Sequence, residues 1–549
     1  MSVSELPALD IAYRDDESVL KEATTEDFSG HAAPASWRAG SGSLAMAWLG
    51  FPTAIFWMFL PAALTFAVGT KAVLIGLAVS AVLVSLGAYF VIPWATATGL
   101  PVSAFSRRMF GYFGAACATL VLAATGLYFA AFEGSVIGVA FHQYFGGLSL
   151  NLWYLVVVLI AAPLVIGGVR VWLDRLNGVL LPLYLIGLIG AIVWAIAEYG
   201  YHGGWFSFKP PHVLDTHGPA WIFVLSTYIA QPTLLFAWEY ARLGRSEDVK
   251  VNRRVTFGLP FWLATFFVNG LIGIFLVHTI PEPKTSPEIA LVLGLVSLMG
   301  LAGVAFIWVT QTRINTANFY VASTNLQAFA ARILKFELPR AVWVILAGAI
   351  VYALMLADLF SFLLEALRYQ GAFVTSWLTI LVAHVVIARW QGEDPRMVEF
   401  RPGRLPQINP VGFIPWVISG GLGVTLLAQE TPWAETWSLP IDAGVALVLY
   451  LGARLIARPS WERMARPNDP REAVEDPWSA RIRCAQCGDH YLATEIDRDP
   501  SNGQQPICAA CAAKSVRLYG AAYRESKAFR SDGAATQTAD SDRSLDSVA

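Results

Sequence analysis

Charge is what this chain has least of. Asp, Glu, Lys and Arg make up 14% of its 549 residues and nearly cancel, leaving a net charge of −2. Such a chain has no basic excess for phosphate contacts, which argues against a nucleic-acid partner, and its composition is not that of a soluble globular protein. It also lacks an N-terminal segment with a basic start and an apolar core, so the acidic, broken residues 1–40 read as a disordered cytoplasmic tail, not a signal peptide. Cysteine is sparse, and four of the five fall in one polar stretch near the C-terminus, which argues against a disulfide framework. The sequence contains no nucleophile–base set, nucleotide-binding loop or intramembrane metal cluster, so it does not read as an enzyme.

What is abundant is apolar: 56% of the residues are hydrophobic, with 20 Trp and 32 Phe. A membrane-spanning helix needs about 20 predominantly apolar residues. Twelve segments qualify, at 44–68, 71–95, 112–140, 149–169, 176–197, 219–241, 256–280, 301–326, 341–357, 371–388, 411–428 and 439–457, with 288–300 either joined to the eighth or a short helix of its own. Sixteen basic residues, among them Arg107, Arg108, Arg170, Arg175, Arg242 and Arg332, fall in short loops on one side, against Lys71, Lys209, Lys284 and Arg368 on the other. The excess of Lys and Arg marks the cytoplasmic side, which puts both termini there and the chain in the cell (plasma) membrane as a multi-pass protein. The expected domains are a twelve-helix unit at 41–460, a linker at 461–480, a small metal module at 481–513 and a disordered tail at 514–549.

Proline interrupts two of the spans in matching places. The first carries AWLGFPTA, with Gly50 and Pro52, and the sixth carries TYIAQPTLL, with Gln231 and Pro232. Each proline removes a backbone donor and frees a carbonyl. Such groups persist at membrane depth only where they are buried or line a cavity. Either proline alone could be a simple kink; together, at the start of two groups of five spans of opposite orientation, they point to an inverted repeat with its binding site at the breaks.

The eighth span, VTQTRINTANFYVAS over 309–323, is unusually polar. At 100° per residue, Gln311, Asn315 and Asn318 share a sector of about 60°, whereas Arg313 lies on the opposite face. The two asparagine amides offer the paired donors and acceptors that a planar heterocycle with ring N–H and C=O edges needs, with plain interhelical hydrogen bonding as the alternative. Arg313 cannot discharge itself when buried. Its candidate partner is Glu133 of the third span, either as a structural pair or as a charge that couples transport.

The stretches GLPVSAFSRRMFGYFGA (99–115), LNGVLLPLYLIGL (176–188), WEYARLGRS (238–246, with Glu239, Tyr240 and Arg242) and INTANFYVAS (314–323) resemble motifs of the nucleobase:cation symporter family, the purine-cytosine permease-like transporters. The resemblance runs over about 35–460. It implies an all-α polytopic membrane protein with a five-plus-five inverted repeat (APC/neurotransmitter-symporter-like) and two extra helices. It also implies import by alternating access of a small heterocyclic compound, such as a nucleobase (cytosine or a purine), hydantoin, allantoin or a thiamine-related pyrimidine. The family's site lies between spans one, three, six and eight, with the base stacked between aromatic rings and held by amides. Asn318 matches its amide on the eighth span, and Gln231 would project from the sixth-span break. Two departures are evident. Gly126-Leu127 and Ala131 stand where many members have Gly-Trp and a Gln, leaving Tyr128 and Phe132 to stack. Thr312 and Arg313 stand where sodium-coupled members place small hydroxyl residues, so a guanidinium would replace the ion and transport would be sodium-independent, either proton-coupled or facilitated. The coupling ion, H+ or Na+, stays open.

Near the C-terminus, Cys484 and Cys487 are followed after twenty residues by Cys508 and Cys511. This spacing suits a four-thiolate structural Zn2+ site resembling a zinc ribbon, with His490 a less favoured ligand. A redox dithiol pair is the competing reading. The module could regulate, stabilise or dock a cytoplasmic protein partner, and a membrane ligand sensor that signals through it is the alternative to a transporter.

Overall fold

The structure is a computed structural model that describes residues 6–531 except 27, 167–168, 282–286, 337 and 358, and leaves aside the side chains of 22, 24–26, 169–177, 287–288 and 359–364. Arg170, Arg175, Lys284 and the 532–549 part of the tail therefore lie outside the described residues.

All twelve expected spans are helical over their described residues, apart from the breaks in the first and sixth. Among the described residues eight helices are long and apolar enough to cross a membrane unaided, and the bent pair Trp221–Ile229 and Thr233–Ala241 makes a ninth. The other three are Leu150–Ile166 and Arg340–Leu356, each of 17 residues, and Leu301–Ile333, which carries the polar stretch of the eighth span. Pro287–Met299 is a separate helix ahead of it.

Both proline-marked spans are broken. The first runs as Ser41–Trp48, a short turn Phe51–Thr53 and then Phe56–Val68; the sixth bends by 42° across its break. The GLPVSAF stretch forms a helical lead-in that turns into the third span at Gly111, whose φ of +80° disfavours any side chain. There Tyr112 N–H donates to Pro406 O at 2.9 Å, and Phe110 O accepts from Asn409 N–H at 3.0 Å. The WEYARLGRS motif anchors the same lead-in: Glu239 Oε1 accepts from Val102 N–H at 2.8 Å, and Arg242 Nε donates to Glu239 Oε2 at 3.0 Å. The third and eighth spans cross closely at Gly126, where a Cβ would come within 2.8 Å of Ala322 N.

Two expectations are corrected. The described residues between 6 and 40 are not a loose tail: Ile11–Ala12 pairs antiparallel with Arg481–Arg483, which pairs in turn with His490–Leu492. The reason lies in Val19 and Ala23, one turn apart on the helix Glu17–Glu26, which pack with Phe28 against Ile482, Ile507 and Leu518. Likewise 518–531 is helical and not disordered, because Leu518, Ala522 and Ser526 recur at four-residue spacing and form one buried stripe. The two ends of the chain thus build one module on one face of the helix bundle.

Buried ion pairs fasten it there. Arg401, from the loop ahead of the eleventh span, meets Glu399 at 2.6 Å and Asp469 at 2.7 Å; Arg404 and Arg466 meet Asp497 at 2.9 and 2.6 Å. Burial pushes the Glu399 carboxyl up, but Arg401 and Arg471 beside it outweigh that and hold it at about 2.

Candidate functional site

The two breaks meet the third and eighth spans around a cavity of about 20 Å³, room for roughly one water. Its walls are Phe51, Phe56 and Trp57 from the first span, Phe129 and Glu133 from the third, Gln231, Thr233 and Phe236 from the sixth, and Ile314 and Asn318 from the eighth. Gln231 also lines a second cavity of about 30 Å³ that reaches Leu367 and Arg368, so it forms the partition between the two.

The groups freed by the first break are taken up by side chains. Trp57 Nε1 donates to Phe51 O at 3.1 Å, and Asn269 Nδ2 of the seventh span donates to Pro52 O at 2.5 Å. Gln311, its amide oriented by its neighbours, accepts from Ile55 N–H at 3.0 Å and donates to Glu133 Oε2. At the sixth break, Gln231 Nε2 donates to Thr227 O at 3.1 Å.

Of the residues singled out from the sequence, Gln231, Asn318 and Glu133 line the cavity. Gly50 and Pro52 shape the break without lining it, and Pro52 contributes its carbonyl. Tyr128 and Phe132 do not line it; Phe129, one residue on from Tyr128, does, and Phe132 packs against Phe56 and Phe59 at ring separations of 5.8 and 5.6 Å. Asn315 points beside it, near Gly134, and neither of its amide atoms has a hydrogen-bond partner among the described residues. Asn318 Nδ2 is likewise buried without a partner there.

The suggested Arg313–Glu133 pair is not formed, because Glu133 meets Gln311 on the other face of the eighth span. Arg313 and Thr312 are buried away from the cavity, and Arg313 has Tyr184 of the fifth span as its electrostatic neighbour. Tyr184 Oη donates to Asn269 Oδ1 at 3.2 Å, which continues the chain to Pro52 O. Hydrogen bonds therefore link Tyr184 to the first-span break, with Arg313 as the charged neighbour of Tyr184. Sequence reasoning missed Asn269 and Tyr184, although a lone Asn in the apolar run FFVNGLIG was a legible signal.

In the terminal module, Cys484, Cys487, Cys508 and Cys511 bring their Sγ atoms within 4.8 Å of one another. A tetrahedral site with Zn–S bonds of about 2.3 Å needs sulfurs about 3.8 Å apart. Cys508 N–H donates to Cys484 Sγ at 3.3 Å and Cys511 N–H to Cys508 Sγ at 3.4 Å. The cluster could hold a metal ion. His490 is engaged elsewhere, with Nδ1 at 3.0 Å from Asp16 Oδ2.

No protein-family model and no curated protein matches the sequence. Among solved structures, the chain is similar to the nucleobase-cation-symport-1 family transporter Mhp1 in a closed conformation with bromovinylhydantoin bound (TM-score 0.58, 14% identity, 78% of this chain and 95% of that one). It is also similar to the inward-facing form of Mhp1 (0.52, 14%, 78% and 93%). A third likeness is to a Na+-coupled sialic acid symporter in a substrate-bound outward-open state (0.51, 15%, 80% and 93%). The likeness establishes the all-α, multi-span fold expected from the sequence.

Proposed function

We propose that the protein is a secondary active transporter that imports a small planar heterocycle, such as a nucleobase, a hydantoin or allantoin, or a thiamine-related pyrimidine, by alternating access. The observation that carries this reading is the lining of the cavity, which has to widen to admit a ring. Phe51, Phe56, Trp57, Phe129 and Phe236 wall it with apolar rings, while Asn318 Nδ2 stands beside it as a buried donor with no partner among the described residues. A buried orphan donor costs about 1–3 kcal/mol, which a ring carbonyl or nitrogen would recover on binding. Gln231 and Glu133 add an acceptor and an acid at the same wall, enough to read a ring edge that both donates and accepts. The fold shared with transporters supports the reading and gives no reason to infer an enzyme. The basic loops support a cytoplasmic position for both termini and their joint module.

The coupling charge in this reading is Arg313. Its guanidinium replaces a bound sodium ion, and the Tyr184–Asn269–Pro52 path ties that fixed charge to the first-span break. Glu133, whose bond to Gln311 also involves the break through Ile55 N–H, is the group placed to carry a proton. The four cysteines suit structural zinc, which would give the terminal module folding energy that its small core lacks.

The packing of that module on the bundle favours a second reading, a sensor that binds the ligand and reports through the module. A thermal-shift screen of the purified protein against nucleobases, hydantoins and thiamine-related pyrimidines tests the ligand class. A shift by one class that Asn318→Ala abolishes supports the site; no shift by any of them sinks the heterocycle reading. A sensor would bind without counterflow.

A further inference from the structure

A separate cavity, of about 310 Å³, lies where the terminal module meets the third and eighth spans. Arg107 and Arg332 line it, 5% and 3% exposed, together with Gln327 of the eighth span, His31 of the N-terminal segment and Lys514 of the cysteine module. The two guanidinium groups act on each other as like charges. Their bonds go to neutral acceptors: Arg332 Nη1 to Thr119 Oγ1 at 3.1 Å and Nη2 to Ser103 O at 3.0 Å, and Arg107 Nη1 to Phe400 O at 3.1 Å. The Nε atoms of both have no partner among the described residues. Among the described residues Glu495 is a buried acid on this side; it attracts Arg107 without bonding to it and is engaged by His31 Nδ1 at 2.8 Å. By contrast Arg242, Arg401, Arg404 and Arg466, comparably buried, each hold a carboxylate within 3.0 Å.

Burying two like charges against neutral acceptors is unfavourable unless an anion compensates them, and guanidinium groups match the planar, multidentate acceptors of carboxylate and phosphate. We propose that this cavity binds a small soluble oxyanion, a phosphate or carboxylate compound, which bridges Arg107 and Arg332 of the bundle to Lys514 and His31 of the module. A ligand held from both sides stabilises the docked module by mass action.

The test is calorimetric titration and thermal unfolding of the full-length protein with inorganic phosphate and with citrate, against chloride at equal ionic strength. Saturable binding of either oxyanion with a rise in Tm beyond that in chloride is expected, together with hydrogen-exchange protection of 19–31 and 510–514. Arg332→Gln and Arg107→Gln should each weaken it about tenfold or more, the loss of one charge-assisted contact, whereas Arg332→Lys should retain most of it. Titrations of phosphate and citrate that superimpose on chloride would overturn the proposal, as would glutamine variants that bind like the wild type. Saturation by short-chain phosphatidic acid but not by inorganic phosphate would overturn the assignment to a soluble ion. Should the glutamine variants not fold, the wild-type titration and exchange pattern decide alone.

Discussion

Gln311→Leu is the perturbation that probes the core of the site most sharply. The side chain accepts from the N–H of Ile55, the N-cap residue of the helix Phe56–Val68, and donates to Glu133 of the third span. Leucine keeps the volume and removes both bonds. Each buried group left unpaired costs about 1–3 kcal/mol, and the in-membrane unfolded state finds replacement partners for part of that, so a loss of about 2–4 kcal/mol is expected. Asn315→Ala is the control. Its amide has no partner among the described residues, so truncating it should change stability by less than about 1 kcal/mol. Thermal unfolding of the two purified variants beside the wild type makes the comparison. Gln311→Leu as stable as the wild type, or Asn315→Ala the more damaging of the two, would refute the view that the eighth span organises the first-span break.

Acid should release the terminal module. Glu399 is held at about 2 when folded, below the usual carboxylate value near 4.3. Its contribution is therefore present above that value and lost as pH falls through 4 toward 2; limited proteolysis of the 461–531 region should be slow at pH 6 and rapid near pH 3. One zinc per chain should be found by metal analysis, and chelation or Cys484→Ser should expose both 6–31 and 481–531 to protease, because the N-terminal strand is paired into the module. Uptake into proteoliposomes should survive replacement of sodium by potassium, and abolition by that swap would sink the role given to Arg313.

The spans and the two breaks were legible because hydrophobic length and proline act locally along the chain. The cavity was half legible: Gln231, Asn318 and Glu133 announce themselves as polar groups in apolar runs, but which rings face them depends on helix rotation, and a shift of one residue separates Phe129 from Tyr128. The Glu133–Gln311 contact was hidden for a similar reason. Charge complementarity suggested Arg313; periodicity already put Arg313 opposite Gln311, but which of the two faces meets Glu133 is set by how the third span packs on the eighth. The N-terminal strand was illegible because two residues, Ile11 and Ala12, carry no periodicity and gain their order from a partner 470 positions away in Arg481–Arg483. The helix at 518–531 carried a readable four-residue stripe that its polar surroundings masked.

The most direct measurement of the central claim is counterflow of a radiolabelled heterocycle, chosen by the thermal-shift screen, into proteoliposomes preloaded with the unlabelled compound. The account predicts accumulation by the wild-type protein and its loss in Asn318→Ala with the protein still folded. Ligand binding without counterflow in the wild type, or full counterflow in Asn318→Ala, would contradict it.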